Sequence, residues 1–112
     1  MSHWDYNNII AKNENETDKH FYERVVLNVR LTVISHAFSI REYLMKRNVK
    51  IAHDYLLLCK KCTNQAVVSC NNESITKAMG EVMTALDLLF DDLTSFYDTI
   101  ERIDDSLKQW KQ

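Results

Sequence analysis

The chain has 112 residues, a single glycine, no proline and a formal charge of −2 at pH 7. One domain is the expectation at this length, and the scarcity of turn-forming residues excludes an ordinary β-sheet protein. No run approaches the roughly 18 apolar residues of a membrane-spanning helix, so the sequence predicts a soluble, all-α protein without a membrane segment.

Residues 1–16 are predicted to form a flexible N-terminal arm, because their apolar side chains are too few and too scattered for a core element. An alternative is that Trp4, Ile9 and Ile10 dock into a groove on a neighbour. The first residues lack the basic and apolar regions of a signal peptide, and three cysteines fit a reducing compartment. We therefore expect an intracellular protein, cytoplasmic or nuclear.

Residues 17–112 are predicted to form one helical domain, and its first helix covers about residues 18–48. Thr17 or Asp18 can cap its first turn. Its apolar residues form two stripes at helical spacing. One stripe contains Tyr22, Val25, Val26, Val29, Val33, Ala37, Ile40 and Leu44, and the other contains Leu27, Leu31, Ile34, Phe38 and Met45. Residues 25–34 also alternate as a strand would, but no second strand is available to pair with them.

A second helix is predicted over about residues 49–64, followed by a loop over 63–74 in which Asn71, Asn72 or Ser74 caps the next helix. Its cysteines suggest a zinc site by composition alone: the potential ligands are His53, Cys59, Cys62 and Cys70. A continuous helix places His53 about 120° from Cys59. We therefore predict no metal site and no cofactor, with the thiols filling gaps in the core.

The third helix, over about residues 74–111, carries a heptad repeat of eleven apolar residues. The a positions are Met79, Leu86, Leu93, Ile100 and Leu107, and the d positions are Ile75, Val82, Leu89, Phe96, Ile103 and Trp110. Met83, Phe90 and Tyr97 widen the apolar face only in the first half, so the two halves should have different neighbours. Ile and Val at d positions favour a bundle of three or more helices over a two-stranded coil.

The length of this helix predicts an elongated molecule. Residues 75–110 make roughly 54 Å of helix, whereas a compact chain of this size is roughly 35 Å across. Either the first helix pairs along its whole length, or the end near Trp110 is buried by another chain. We favour the second alternative because Trp110 would otherwise be exposed. The predicted fold is an elongated three-helix bundle with a heptad-patterned C-terminal helix, and it is expected to be oligomeric.

Charge is distributed unevenly along the chain. Residues 19–61 contain nine basic and three acidic residues, while residues 81–105 contain eight acidic residues and one arginine. The two blocks are expected to neutralise each other inside one bundle, since the basic block lacks the aromatic and glycine-rich features of nucleic-acid sites. We expect Arg30 and Arg41 to pair with carboxylates such as Asp92, on the acidic helix or on a partner, and so to set register.

Arg30 and His36 offer an enzymatic alternative. Their spacing resembles the arginine–histidine motif of HEPN-type ribonucleases, which are small helical domains, and the resemblance implies RNA cleavage by these two residues. The match covers seven residues, lies in the first helix instead of late in the bundle, and separates the two side chains by about 120°. The sequence therefore predicts no catalytic site.

The predicted function is that of a non-enzymatic subunit that self-associates or joins a helical complex. The expected contact residues are Phe96, Ile100, Ile103, Leu107 and Trp110, with Trp4, Ile9 and Ile10 as a second docking element and Arg30 and Arg41 setting register. No small-molecule substrate, nucleic acid or membrane is expected as a partner. The remaining alternative is a compact regulatory or viral module whose groove binds a partner helix and whose own heptad face is filled internally.

Overall fold

The computed structural model describes residues 11–110, with only the main chain of Trp110, and contains three α-helices. They are α1 (Asp18–Met45), α2 (Val49–Cys70) and α3 (Glu73–Trp110), and the described residues contain no strand. The all-α prediction is confirmed, and residues 25–34 are helical. Trp4, Ile9 and Ile10 lie outside the described residues.

Each helix begins with a polar side chain that accepts a hydrogen bond from a free main-chain N–H group of the first turn. Thr17 accepts from the N–H of His20 at 3.2 Å, Asn48 from Ile51 at 3.2 Å, and Asn72 from Ile75 at 3.1 Å. Thr17 is therefore the cap of α1 and Asn72 is the cap of α3, and each is one of the alternatives that the sequence predicted.

The loop predicted over residues 63–74 is limited to Asn71 and Asn72. The second helix continues to Cys70, because Thr63, Ala66 and Cys70 extend its buried face. The hydroxyl group of Thr63 is satisfied within the helix, where it donates to the main-chain oxygen of Lys60 at 2.8 Å. Asn71 then ends α2 in the left-handed region, at φ 46°.

Two apolar clusters form the core, one near each end of the helical hairpin. The first consists of Phe21, Val25, Val29, Cys62, Ala66, Cys70, Ile75 and Met79. The second consists of Ile40, Leu44, Ala52, Leu56, Cys59 and Leu86. Because the start of α1 meets the end of α2, and the end of α2 meets the start of α3, consecutive helices run antiparallel.

The molecule is elongated, with principal extents of 72 × 26 × 17 Å. The longest helix, α3, has 38 residues and therefore spans about 57 Å, whereas the 28 residues of α1 span about 42 Å. Since both helices start at the same end of the bundle, α3 extends beyond α1 at its C-terminal end. No helix in residues 11–110 has the length and apolar character needed to cross a bilayer.

Candidate protein-binding surfaces

The first unpartnered surface is the outer face of α1, which we define as Leu27, Leu31, Ile34 and Phe38. These side chains are 52, 60, 49 and 66% exposed. Ile34 lies about 180° around the helix from the buried Val25, so the outer face points away from the core. The stripe that contains Val25 and Ile40 packs in the core, whereas the stripe that contains the outer face has no neighbouring helix within the described chain.

The second surface is the C-terminal seam of α3, which we define as Phe96, Ile100, Ile103 and Leu107. These side chains are 57, 48, 52 and 65% exposed. Met79 and Leu86 near the start of the helix are buried, at 3% and 4% exposure, whereas every residue from Asp98 to Gln109 is exposed. The side chain of Trp110, the last predicted seam residue, lies outside the described part of the structure.

The turn between α1 and α2 explains where the seam becomes exposed. Arg47 lies in this turn and donates from Nη2 to Oδ1 of Asp98 at 2.7 Å and to Oε2 of Glu101. The hairpin therefore ends beside residues 98–101 of α3, and neither α1 nor α2 is available to cover the helix beyond that point. The two halves of α3 thus differ in their surroundings.

Ion pairs join the basic and acidic blocks of the chain, but not at the predicted residues. Nζ of Lys60 lies 2.8 Å from Oδ1 of Asp87, and Arg47 pairs with Asp98 of α3 as described above. Arg30 and Arg41 are exposed and form no ion pair with any residue from 11 to 110. The structure therefore shows no pairing of Arg30 or Arg41 with Asp92 in the same chain, and pairing with a partner stays a prediction.

The three cysteines lie in the core. Burial raises the pKa of the Cys59 thiol to about 11 and that of the Cys62 thiol to about 12, and it raises the pKa of Cys70 as well. His53 is exposed and its ring meets Phe90 edge-on, with the ring centroids 5.9 Å apart. Residues 11–110 contain no group of three or more His, Cys, Asp or Glu side chains that could hold a metal ion.

The ribonuclease alternative requires Arg30 and His36 to act together, and the structure places them apart. His36 is 7% exposed and meets the ring of Tyr55 edge-on, at 5.2 Å between centroids. Burial lowers the pKa of His36, which favours its neutral form. Arg30 is exposed on another side of the same helix.

The chain matches no protein-family model, no curated protein and no solved structure. The two exposed apolar surfaces and their flanking charges are the candidate functional features of residues 11–110. Sequence spacing identified the C-terminal seam, and it identified the outer face of α1 as one of two stripes. It did not indicate which stripe is exposed, because both have the same apolar character.

Proposed function

We propose that this protein is a non-enzymatic assembly subunit that binds a helix of another chain through the C-terminal seam of α3. The observation that carries the proposal is the exposure of four large apolar side chains around and beyond the end of the α1–α2 hairpin. They follow one another at steps of four, three and four residues, the heptad spacing by which helices interlock. Exposed apolar surface of this kind marks interaction sites on folded proteins.

The energetics indicate that the seam acts together with a further contact. Full burial of a large apolar side chain contributes about 1.5–3 kcal/mol, so completing the burial of four half-exposed side chains contributes roughly 3–6 kcal/mol. Association itself costs about 4–15 kcal/mol in lost translational and rotational freedom. We therefore expect the partner to contact additional residues outside the seam, and flanking charges are the nearest candidates.

The test replaces two a-position residues of the seam by charges. We expect Ile100→Asp with Leu107→Asp to abolish assembly, because burying these carboxylates would desolvate them without a partner. Both residues are half-exposed or more in the single chain, so the fold should be retained. Native mass spectrometry of the protein purified from its own cells reports the copies and partners present.

The matched control is Ser95→Asp with Gln109→Asp, which adds the same charge to exposed positions of α3 that lie about 110° and 150° from the centre of the seam. This control should assemble as the wild type does. Circular dichroism of both double variants verifies that the helices are intact. Assembly that survives Ile100→Asp with Leu107→Asp would refute the proposal.

A further inference from the structure

We propose that the C-terminal seam of one copy binds the outer face of α1 in a second copy. This inference rests on the proposed function and adds to it the identity of the partner and the receiving surface. It requires that the two surfaces match each other in spacing and length, and that their flanking charges favour pairing a face with a seam over pairing either surface with itself.

The spacing and length of the two surfaces agree. The outer face runs through Leu27, Leu31, Ile34 and Phe38, and the seam runs through Phe96, Ile100, Ile103 and Leu107. Both follow steps of four, three and four residues, and both therefore extend about 16 Å along their helices. Helices with the same apolar repeat can insert each side chain between those of the facing helix along the whole contact.

The charges beside the two surfaces are opposite. Arg30 and Arg41 flank the outer face and form no ion pair within residues 11–110. Of the eight carboxylates between residues 81 and 105, those of Asp92 and Asp104 lie beside the seam, within about 70° of its centre. Pairing either surface with itself would bring flanking charges of the same sign to one interface. Pairing a face with a seam is the arrangement that opposite charges favour.

Charge also selects the relative direction of the two helices. An antiparallel arrangement that sets Phe38 against Phe96 brings Arg41 beside Asp92, which is exposed and has no ion pair within the described chain. A parallel arrangement would instead direct Arg30 to Asp104, which already pairs with Lys108 at 3.0 Å. We therefore assign the antiparallel arrangement.

The test uses two variants that each lack one of the two surfaces. Ile100→Asp with Leu107→Asp removes the seam and keeps the face, while Ile34→Asp removes the face and keeps the seam. Each variant alone should be monomeric in sedimentation velocity, with association at least about 30-fold weaker than in the wild type, as expected for a central contact residue. A 1:1 mixture should form a heterodimer, because each variant supplies the surface that the other lacks.

Two controls accompany the mixture. Ser35→Asp places the same charge on the exposed neighbour of Ile34 and should leave association unchanged. Arg41→Glu in the seam-deficient variant should weaken the heterodimer about tenfold or more, and Asp92→Arg in the face-deficient variant should restore it. Restoration by the second charge reversal supports the antiparallel arrangement, since a merely structural effect of Arg41 would not be rescued from another chain.

Failure of the inference is distinguishable from failure of the proposed function. If Ile34→Asp associates as strongly as the wild type while the seam variant is monomeric, the seam binds elsewhere and only the inference is wrong. A purified wild type that remains monomeric, or a mixture that does not associate, likewise overturns the inference. If the seam variant still assembles in its own cells, the proposed function fails and the inference fails with it.

Discussion

Arg47, in the turn between α1 and α2, donates from Nη2 to Oδ1 of Asp98 on α3 at 2.7 Å. The two residues are 51 positions apart in the sequence, and their contact fixes the turn of the α1–α2 hairpin against the longest helix. The hydrogen bond to Asp98 and the charge of Glu101 beside it raise the pKa of the Arg47 guanidinium, which is charged over the whole physiological range. The contact lies at the boundary between the covered and the exposed halves of α3.

Arg47 also adopts a left-handed main-chain conformation, with φ at 62°, which glycine tolerates best. Arg47→Gly and Arg47→Ala both remove the ion pairs, but only alanine keeps the conformational strain. We expect the glycine variant to melt at a higher temperature than the alanine variant. Equal melting temperatures in thermal denaturation would show that the turn relaxes in the alanine variant.

The two apolar stripes of α1 should respond differently to truncation. Ile40 is fully buried, so Ile40→Ala is expected to lower the free energy of unfolding by about 2–5 kcal/mol. Ile34 is 49% exposed, so Ile34→Ala should change it by less than about 1 kcal/mol. Urea denaturation measures both. The measurement uses the background of Ile100→Asp with Leu107→Asp, because association would otherwise contribute to the result. Equal losses would indicate that the outer face is also covered in the monomer.

His36 makes stability depend on pH. Burial holds the pKa of His36 below the ordinary value of 6.5. Between the two pKa values the unfolded chain therefore binds a proton at His36 that the folded protein does not bind. The stabilisation from neutral His36 is fully present above pH 6.5 and decreases as the pH falls below it, until the folded-state pKa is reached. We expect His36→Gln to flatten the decline in melting temperature between pH 7.5 and 5. His53→Gln, at an exposed position, is the control and should leave the decline unchanged.

Glu16 anchors the segment before α1. Its carboxylate accepts from Nε of Arg24 at 2.9 Å and from Nη2 at 2.8 Å, and Nδ1 of His20 lies 2.6 Å away. Hydrogen bonding from Arg24 lowers the pKa of Glu16 to about 2, below its ordinary value of 4.5. Its stabilising effect is therefore present above pH 4.5 and disappears as the pH falls towards 2. Carboxyl titration by NMR should give this pKa, and a value near 4.5 would mean that the cluster does not persist.

The corresponding substitution is Glu16→Gln, which keeps the shape of the side chain and removes its charge. We expect faster amide hydrogen exchange in residues 11–20, because the guanidinium of Arg24 loses its ionic partner. Glu14→Gln removes the same charge at an exposed position and should not alter exchange. Equal exchange in the two variants would contradict an anchoring role for Glu16.

Sequence spacing was sufficient to predict the helical class, the elongated shape and the position of α3. It failed at residues 63–70, where β-branched and amide side chains such as Val67 and Asn64 have weak helix propensity. Burial of Ala66 and Cys70 against the other two helices outweighs that propensity, and this tertiary effect is not visible in local sequence. Long-range packing thus decided the length of α2.

The candidate surfaces were predictable only in part. The seam residues followed from the heptad spacing of α3, but the identity of the exposed stripe on α1 depends on which side α2 occupies. The ion-pair partners of Arg30 and Arg41 were uncertain for the same reason, because the sequence spacing of an exposed arginine does not identify the carboxylate that it contacts. Helical spacing alone places both arginines at the border of that stripe. Three-dimensional packing is needed to show that the stripe is exposed and that neither arginine forms an ion pair within residues 11–110.

The third helix runs from Glu73 to Trp110 without a glycine or proline in its second half. Its exposed end therefore has no hinge, and it is joined rigidly to the turns that pack in the core. A partner that binds this end therefore also sets the orientation of the α1–α2 hairpin relative to itself. Copies joined in this way would keep a regular distance and angle, and the geometry of an assembly would follow from the length of one helix.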